Sequence, residues 1–99
     1  MKNSAIPAHL STTSKALWQR LATEFSLDDG AAESLLLALC EARDRCTEAR
    51  LRIERDGAYV KDRFKQWKPH PALNVERDCR GQVLAAIRGL RLAPEEAEL

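Results

Sequence analysis

Between Ala32 and Ile53 the small and apolar residues recur as Ala32, Leu35, Leu39, Ala42, Cys46, Ala49 and Ile53. The steps alternate between three and four, which is a heptad seam, and they predict one unbroken helix over residues 28–56. The opposite face carries Glu41, Arg45, Glu48, Arg52 and Arg55, and Gly57 is the expected stop. Ser26-Leu27-Asp28-Asp29 resembles a capping box, with Asp in place of the usual Glu. At ~1.5 Å per residue this helix spans roughly 40 Å. A compact domain of this size has a radius of gyration of about 13 Å and a diameter of roughly 33 Å. The helix therefore projects beyond a compact monomer, or the whole fold is elongated. Either arrangement leaves a flank for a partner. A core built of Ala, Leu and Cys is thin for 99 residues, which points the same way.

The flanking stretches must supply what this helix lacks. Residues 1–10 contain Pro7 and no helical period, and read as a flexible arm. Ser11 is a natural N-cap for a short helix over 12–25, with Leu17, Trp18, Leu21, Ala22 and Phe25 on one face. So short a helix is marginal alone and has to dock on the long one. After Gly57, two β-prone runs, Ala58-Tyr59-Val60 and Phe64-Lys65-Gln66-Trp67, flank a polar tip. They predict a short β-hairpin or an extended connector, packed on the helices or on a neighbouring subunit.

Pro71 suits the first position of a last helix over 71–90, and it pushes His70 to an extended conformation. His70 is then placed either to cap that helix or to lie in a subunit contact. Glu76 and Asp78 fall near the positive end of the helix dipole. Ala72, Val75, Cys79, Val83, Ala86, Ile87 and Leu90 form a stripe that can pack antiparallel on the long helix, and Gly89 and Pro94 end the element. The fold expected is mainly α, with short, long and medium helices. A single helical domain over 11–92 is followed by an acidic tail over 93–99.

Several functions are excluded by what the chain lacks. The formal net charge is +1, so any nucleic-acid role has to come from local clustering or from many copies. There is no apolar run of membrane-spanning length and no signal peptide. Three cysteines without disulfide-like spacing suit a reducing cytoplasm. Cys40 and Cys46 point about 240° apart around a helix and cannot share an ion. Cys46 and Cys79 sit on apolar seams as small hydrophobes. No metal, cofactor or catalytic constellation is expected.

The informative cluster is basic. Lys61, Arg63, Lys65 and Lys68 are opposed only by Asp62 between Gly57 and Pro69, with Tyr59, Phe64 and Trp67 interleaved. Cations neutralise phosphates and release counterions, while aromatic rings stack. The plainer reading is an exposed hairpin whose rings cover the helix pair, and residue types alone weigh the two about evenly. A second basic candidate is the long helix, through Arg45, Arg52 and Arg55.

The order of these elements resembles the small subunit of the terminase of tailed double-stranded-DNA phages, in its compact branch without a separate helix-turn-helix domain. The resemblance is carried by Leu10-Ser11 before Leu17-Trp18, by Leu27-Asp28-Asp29, and by Arg55-Asp56-Gly57. It continues through the basic connector, His70-Pro71-Ala72-Leu73, Glu76-Arg77-Asp78, and Leu90 with Leu92 and Pro94. It implies a non-enzymatic subunit that binds double-stranded viral DNA and closes into a ring of about eight to ten copies. Such a subunit would hand DNA to the large terminase subunit, the ATPase and nuclease, in the cytoplasm of the bacterial host. Lys61, Arg63, Lys65, Lys68, Arg52 and Arg55 would then face DNA. Trp18, Tyr59, Phe64, Trp67 and His70 would lie at contacts between subunits. The chain is short beyond its last helix, where such proteins commonly engage the large subunit or close the ring. The rival reading is a small helical adaptor that uses the heptad seam and has no DNA role.

Overall fold

The computed structural model describes residues 6–27, 29–93 and 95. They form α1 (Thr12–Glu24), α2 (Gly30–Asp56), β1 (Tyr59–Lys61), β2 (Trp67–Pro69) and α3 (Ala72–Gly89). This is the expected short, long and medium helix order, with a two-stranded antiparallel hairpin between the last two. The first half of the expected arm, Asp28 at the expected start of the long helix, and most of the acidic tail lie outside the described residues.

The long helix sets the shape. Its 27 residues run from a cap at Asp29, whose carboxylate accepts from the Ala32 amide at 2.7 Å, to Gly57 at φ 86°. Ser26 does not act as the cap of a capping box. It adopts φ 53° and closes α1 instead, with the Leu27 amide donating to the Ala22 carbonyl at 3.1 Å. α3 ends in the same way. Arg91 takes φ 61°, and the Leu92 amide donates to the Ile87 carbonyl at 3.0 Å. Each left-handed residue is followed by a leucine that packs on the core, the hydrophobic half of a Schellman motif.

α3 returns antiparallel along α2. Leu35, early in α2, meets Gly89 at the end of α3, while the Cys46 thiol donates to the Glu76 carbonyl at 3.6 Å. α1 lies over the first half of α2, above Leu36 and Cys40. Both are fully buried although they stand off the heptad seam. The core is therefore concentrated at one end, around Leu17, Leu21, Leu36, Leu39, Cys40 and Ile87. Beyond Ala42 the second half of α2 buries only Ala49, and the first half of α3 buries only Ala72 and Cys79. The result is a three-helix body that extends into a two-helix arm. The radius of gyration is 16.0 Å and the extents are 55 × 25 × 20 Å, so the fold is elongated.

Trp18 is 4% exposed inside the protomer core, because α1 turns that face onto α2. Two expectations from the sequence need correction here. Val75, expected on the packing stripe of α3, is 47% exposed. Residues 6–10 are not a free arm: Leu10 is buried, and His9 Nε2 lies 2.8 Å from Glu41.

A polar clamp holds α1 in place. Asp44 of α2 accepts from the Ser11 amide at 2.9 Å and the Ser11 hydroxyl at 2.6 Å, and also from the hydroxyl of the buried Ser14. Ser11 in turn caps α1 by accepting from the Ser14 amide at 3.1 Å. Burial works against the charge on Asp44. The hydrogen bonds from Ser11 and Ser14 outweigh it and hold the carboxyl below its ordinary value.

Candidate nucleic-acid interface

The hairpin stands at the far end of the two-helix arm. Its register pairs Tyr59 with Pro69, Val60 with Lys68 and Lys61 with Trp67. His70 extends the ladder by donating its amide to the Ala58 carbonyl at 2.8 Å. Asp62 organises the turn. Its side chain accepts from the Phe64 amide at 2.8 Å and the Gln66 amide at 3.0 Å, while Lys65 takes the left-handed position at φ 61°. The Gln66 amide above all, and that of Phe64, hold the Asp62 carboxyl below its usual range despite desolvation.

Alternation along paired strands sorts the side chains onto two faces. Tyr59, Lys61 and Trp67 share one face. Val60 and Lys68 take the other. The four cations that are clustered in the sequence are thereby separated. Lys68 lies 3.3 Å from Asp62 and is ion-paired there. Lys61 lies 5.1 Å above the Trp67 ring, and Arg63 lies 4.8 Å above Phe64 at the tip. The three aromatic rings do not cover the helix pair; they are all largely exposed. Lys61, Arg63 and Lys65 thus remain as an exposed basic tip beside largely exposed rings.

His70 stands at the corner where α2, the hairpin and α3 meet. Its Nδ1 accepts from the Ala72 amide at 2.9 Å, and its Nε2 lies 2.9 Å from Asp56 at the end of α2. With Nδ1 accepting from Ala72 and Nε2 facing Asp56, the imidazole caps α3 and ties the two helices at their shared corner. The expected cap of α3 by His70 is thus made within the chain. Asp56 is held well below the carboxylate range, first by the hydrogen bonds from Arg55 and then by His70. Glu76 and Asp78 serve α3 through Arg80 and Arg77, at 3.2 and 3.4 Å.

Two of the three arginines of the second basic candidate are also internally paired. Arg52 bonds Glu48 at 2.7 Å, and Arg55 bonds Asp56 through two nitrogens at 2.8 and 2.9 Å. Exposed pairs of this kind exchange at little cost, but both guanidiniums are engaged within their own helix. The role of Asp62 was not legible in the sequence, where it stands only as an opposing charge. An Asp followed by several residues with no apolar alternation is the turn signal that could have found it.

Among the described residues no group of three or more His, Cys, Asp or Glu could hold a metal ion. Among the described residues no helix is long and apolar enough to cross a membrane. No curated protein and no solved structure gives a significant match to the chain. A family model described as phage terminase, small subunit, matches residues 14–98, which take in most of α1, the long helix, the hairpin and α3. The chain therefore belongs to the phage terminase small subunits, a family whose role lies in phage DNA packaging.

Proposed function

We propose that this protein is the DNA-binding, non-catalytic subunit of a phage packaging motor. It assembles into a ring of about eight to ten copies through the flanks of α2 and α3. It delivers double-stranded DNA to the large terminase subunit in the host cytoplasm and regulates that subunit's ATPase and nuclease. The observation that carries this reading is the basic tip of Lys61, Arg63 and Lys65 at the outer end of the arm. One protomer presents few charges, but a ring repeats them around an axis and multiplies the phosphate contacts.

The test is a salt titration of duplex binding, together with the mass of the protein in solution by light scattering. Removing one phosphate contact should lower the slope of log K against log salt by about 0.9. Lys61→Ala with Arg63→Ala should weaken binding to every duplex sequence and flatten the slope. Unchanged affinity and slope would remove the tip from the DNA site. A second reading, a helical adaptor without a DNA role, draws on the groove of about 420 Å³ between α2 and α3. Val83, Leu84 and Ile87 line it together with Arg43, Arg50 and Arg80. A stable dimer without DNA affinity would favour that reading.

A further inference from the structure

Cations alone are enough to hold a duplex backbone, and they leave the aromatic rings of the hairpin unexplained. Tyr59 is 61% exposed, Phe64 68% and Trp67 66%. No helix covers them, although Gly57-Ala58 and His70-Pro71 join the hairpin directly to α2 and α3. The register puts Tyr59 and Trp67 on one face, diagonal to each other across the two strands, with Lys61 directly opposite Trp67 and over one side of its ring. Lys68 and its neutralising Asp62 belong to the opposite side. This is an arrangement of flat π-surfaces bordered by unneutralised cations. Bases inside a duplex have both faces covered by their neighbours and offer nothing for such rings to stack on. Unpaired bases do, and every base has a π-face, so contact of this kind is tolerant of sequence.

We infer that the Tyr59–Lys61–Trp67 face of the hairpin binds unpaired DNA. Bases stack on Tyr59 and Trp67, while Lys61, Arg63 and Lys65 neutralise the adjoining phosphates. This deepens the proposed DNA role and rests on it. It also takes Tyr59 and Trp67 away from the subunit contact that the family resemblance implies for them.

The experiment uses the full chain with two labelled probes, an oligothymidine and a duplex of equal length, followed by anisotropy across a salt series. The intact protein should bind oligothymidine more tightly than duplex at equal salt. The slope per phosphate should be near the single-strand value of about 0.7, against about 0.9 for duplex. Oligothymidine should quench the exposed Trp67, and duplex should not. Tyr59→Leu with Trp67→Leu should weaken oligothymidine binding by about tenfold to a hundredfold and leave duplex binding in place. Lys61→Ala with Arg63→Ala should weaken both. Equal affinity for the two probes, or an equal loss of both in the double leucine variant, overturns the stacking face while leaving the DNA role intact. A double leucine variant that loses mass in solution but keeps its preference between the probes assigns the rings to a neighbouring protomer instead, and also overturns it. Binding to neither probe refutes the DNA role itself, and the stacking face with it. Circular dichroism of the helices controls for folding.

Discussion

Replacing Asp44 tests how α1 is fixed to the rest of the molecule. The carboxylate takes hydrogen bonds from the Ser11 amide, the Ser11 hydroxyl and the Ser14 hydroxyl. Ser14 is fully buried, and without Asp44 its hydroxyl retains only the Cys40 carbonyl at 3.3 Å. A hydrogen bond to a charged group contributes about 1.5–3 kcal/mol, but three on one partly solvated carboxylate do not add. Asp44→Ala should therefore cost about 2–3 kcal/mol, and Asp44→Asn, which keeps one acceptor oxygen, about 1–2 kcal/mol. For a domain of this length each kcal/mol lowers the melting temperature by roughly 4–8 °C.

The acid dependence gives an independent check on the same residue. The folded carboxyl lies below its unfolded value. Its contribution is fully present above about pH 4, and it is lost as the pH falls through the folded value. Asp56 and Asp62 add acid dependence of the same sign, so the informative quantity is the difference between wild type and Asp44→Asn. That difference should be constant above about pH 5 and shrink below about pH 4. The assay is urea unfolding at fixed protomer concentration, in a Trp67→Phe background that leaves the buried Trp18 as the fluorescent probe. Equal stability of wild type and Asp44→Ala at neutral pH would refute the clamp. A difference that stays flat into strong acid, to about pH 2, would refute its electrostatic origin.

Four other outcomes follow from particular contacts. Gly81 sits inside α3 with open space where a Cβ would go, so Gly81→Ala should stabilise by about 1 kcal/mol in the same unfolding assay. At Gly89 a Cβ would stand 2.9 Å from Leu35 Cδ2, so Gly89→Ala should gain clearly less than Gly81→Ala. Burial pushes the Cys40 thiol up to about 12, so iodoacetamide in mildly alkaline buffer should leave it unmodified in the native state, while the half-buried Cys46 reacts first; mass spectrometry of the peptides reads the order. Asp62→Ala should raise amide exchange at Phe64 and Gln66 without moving the global unfolding midpoint, because those bonds serve only the turn.

What could be read from the sequence was what repeats or punctuates locally. The heptad steps from Ala32 to Ile53 revealed α2, because a period survives whatever packs on it. Ser11, Gly57 and Pro71 marked element ends through backbone chemistry that needs no partner. Leu36 and Cys40 did not stand out, since their burial depends on where α1 lands. Ser14 and Asp44 stand far apart along the chain and become a contact only after docking. At the hairpin, the basic cluster was visible as composition, but composition carries no register. Only the pairing of Val60 with Lys68 sends Lys68 to the opposite face from Lys61. Trp18 illustrates the same limit. An amphipathic helix shows which face is apolar, and nothing in it says whether that face meets its own chain or another.

The uneven core has a consequence for how the molecule moves. Local opening free energy follows buried apolar contact, so it should fall steadily from the three-helix body to the outer end of the arm. The tip can then breathe on its own while the body stays closed. A ligand that seizes the tip would quench that breathing along the adjoining turns of α2 and α3. The surfaces those turns show to a neighbour would be ordered in the same event. Occupancy at one hairpin would thus be felt beside it as a loss of entropy already incurred, and amide exchange along Ile53–Asp56 and Ala72–Val75 is where that tightening would register.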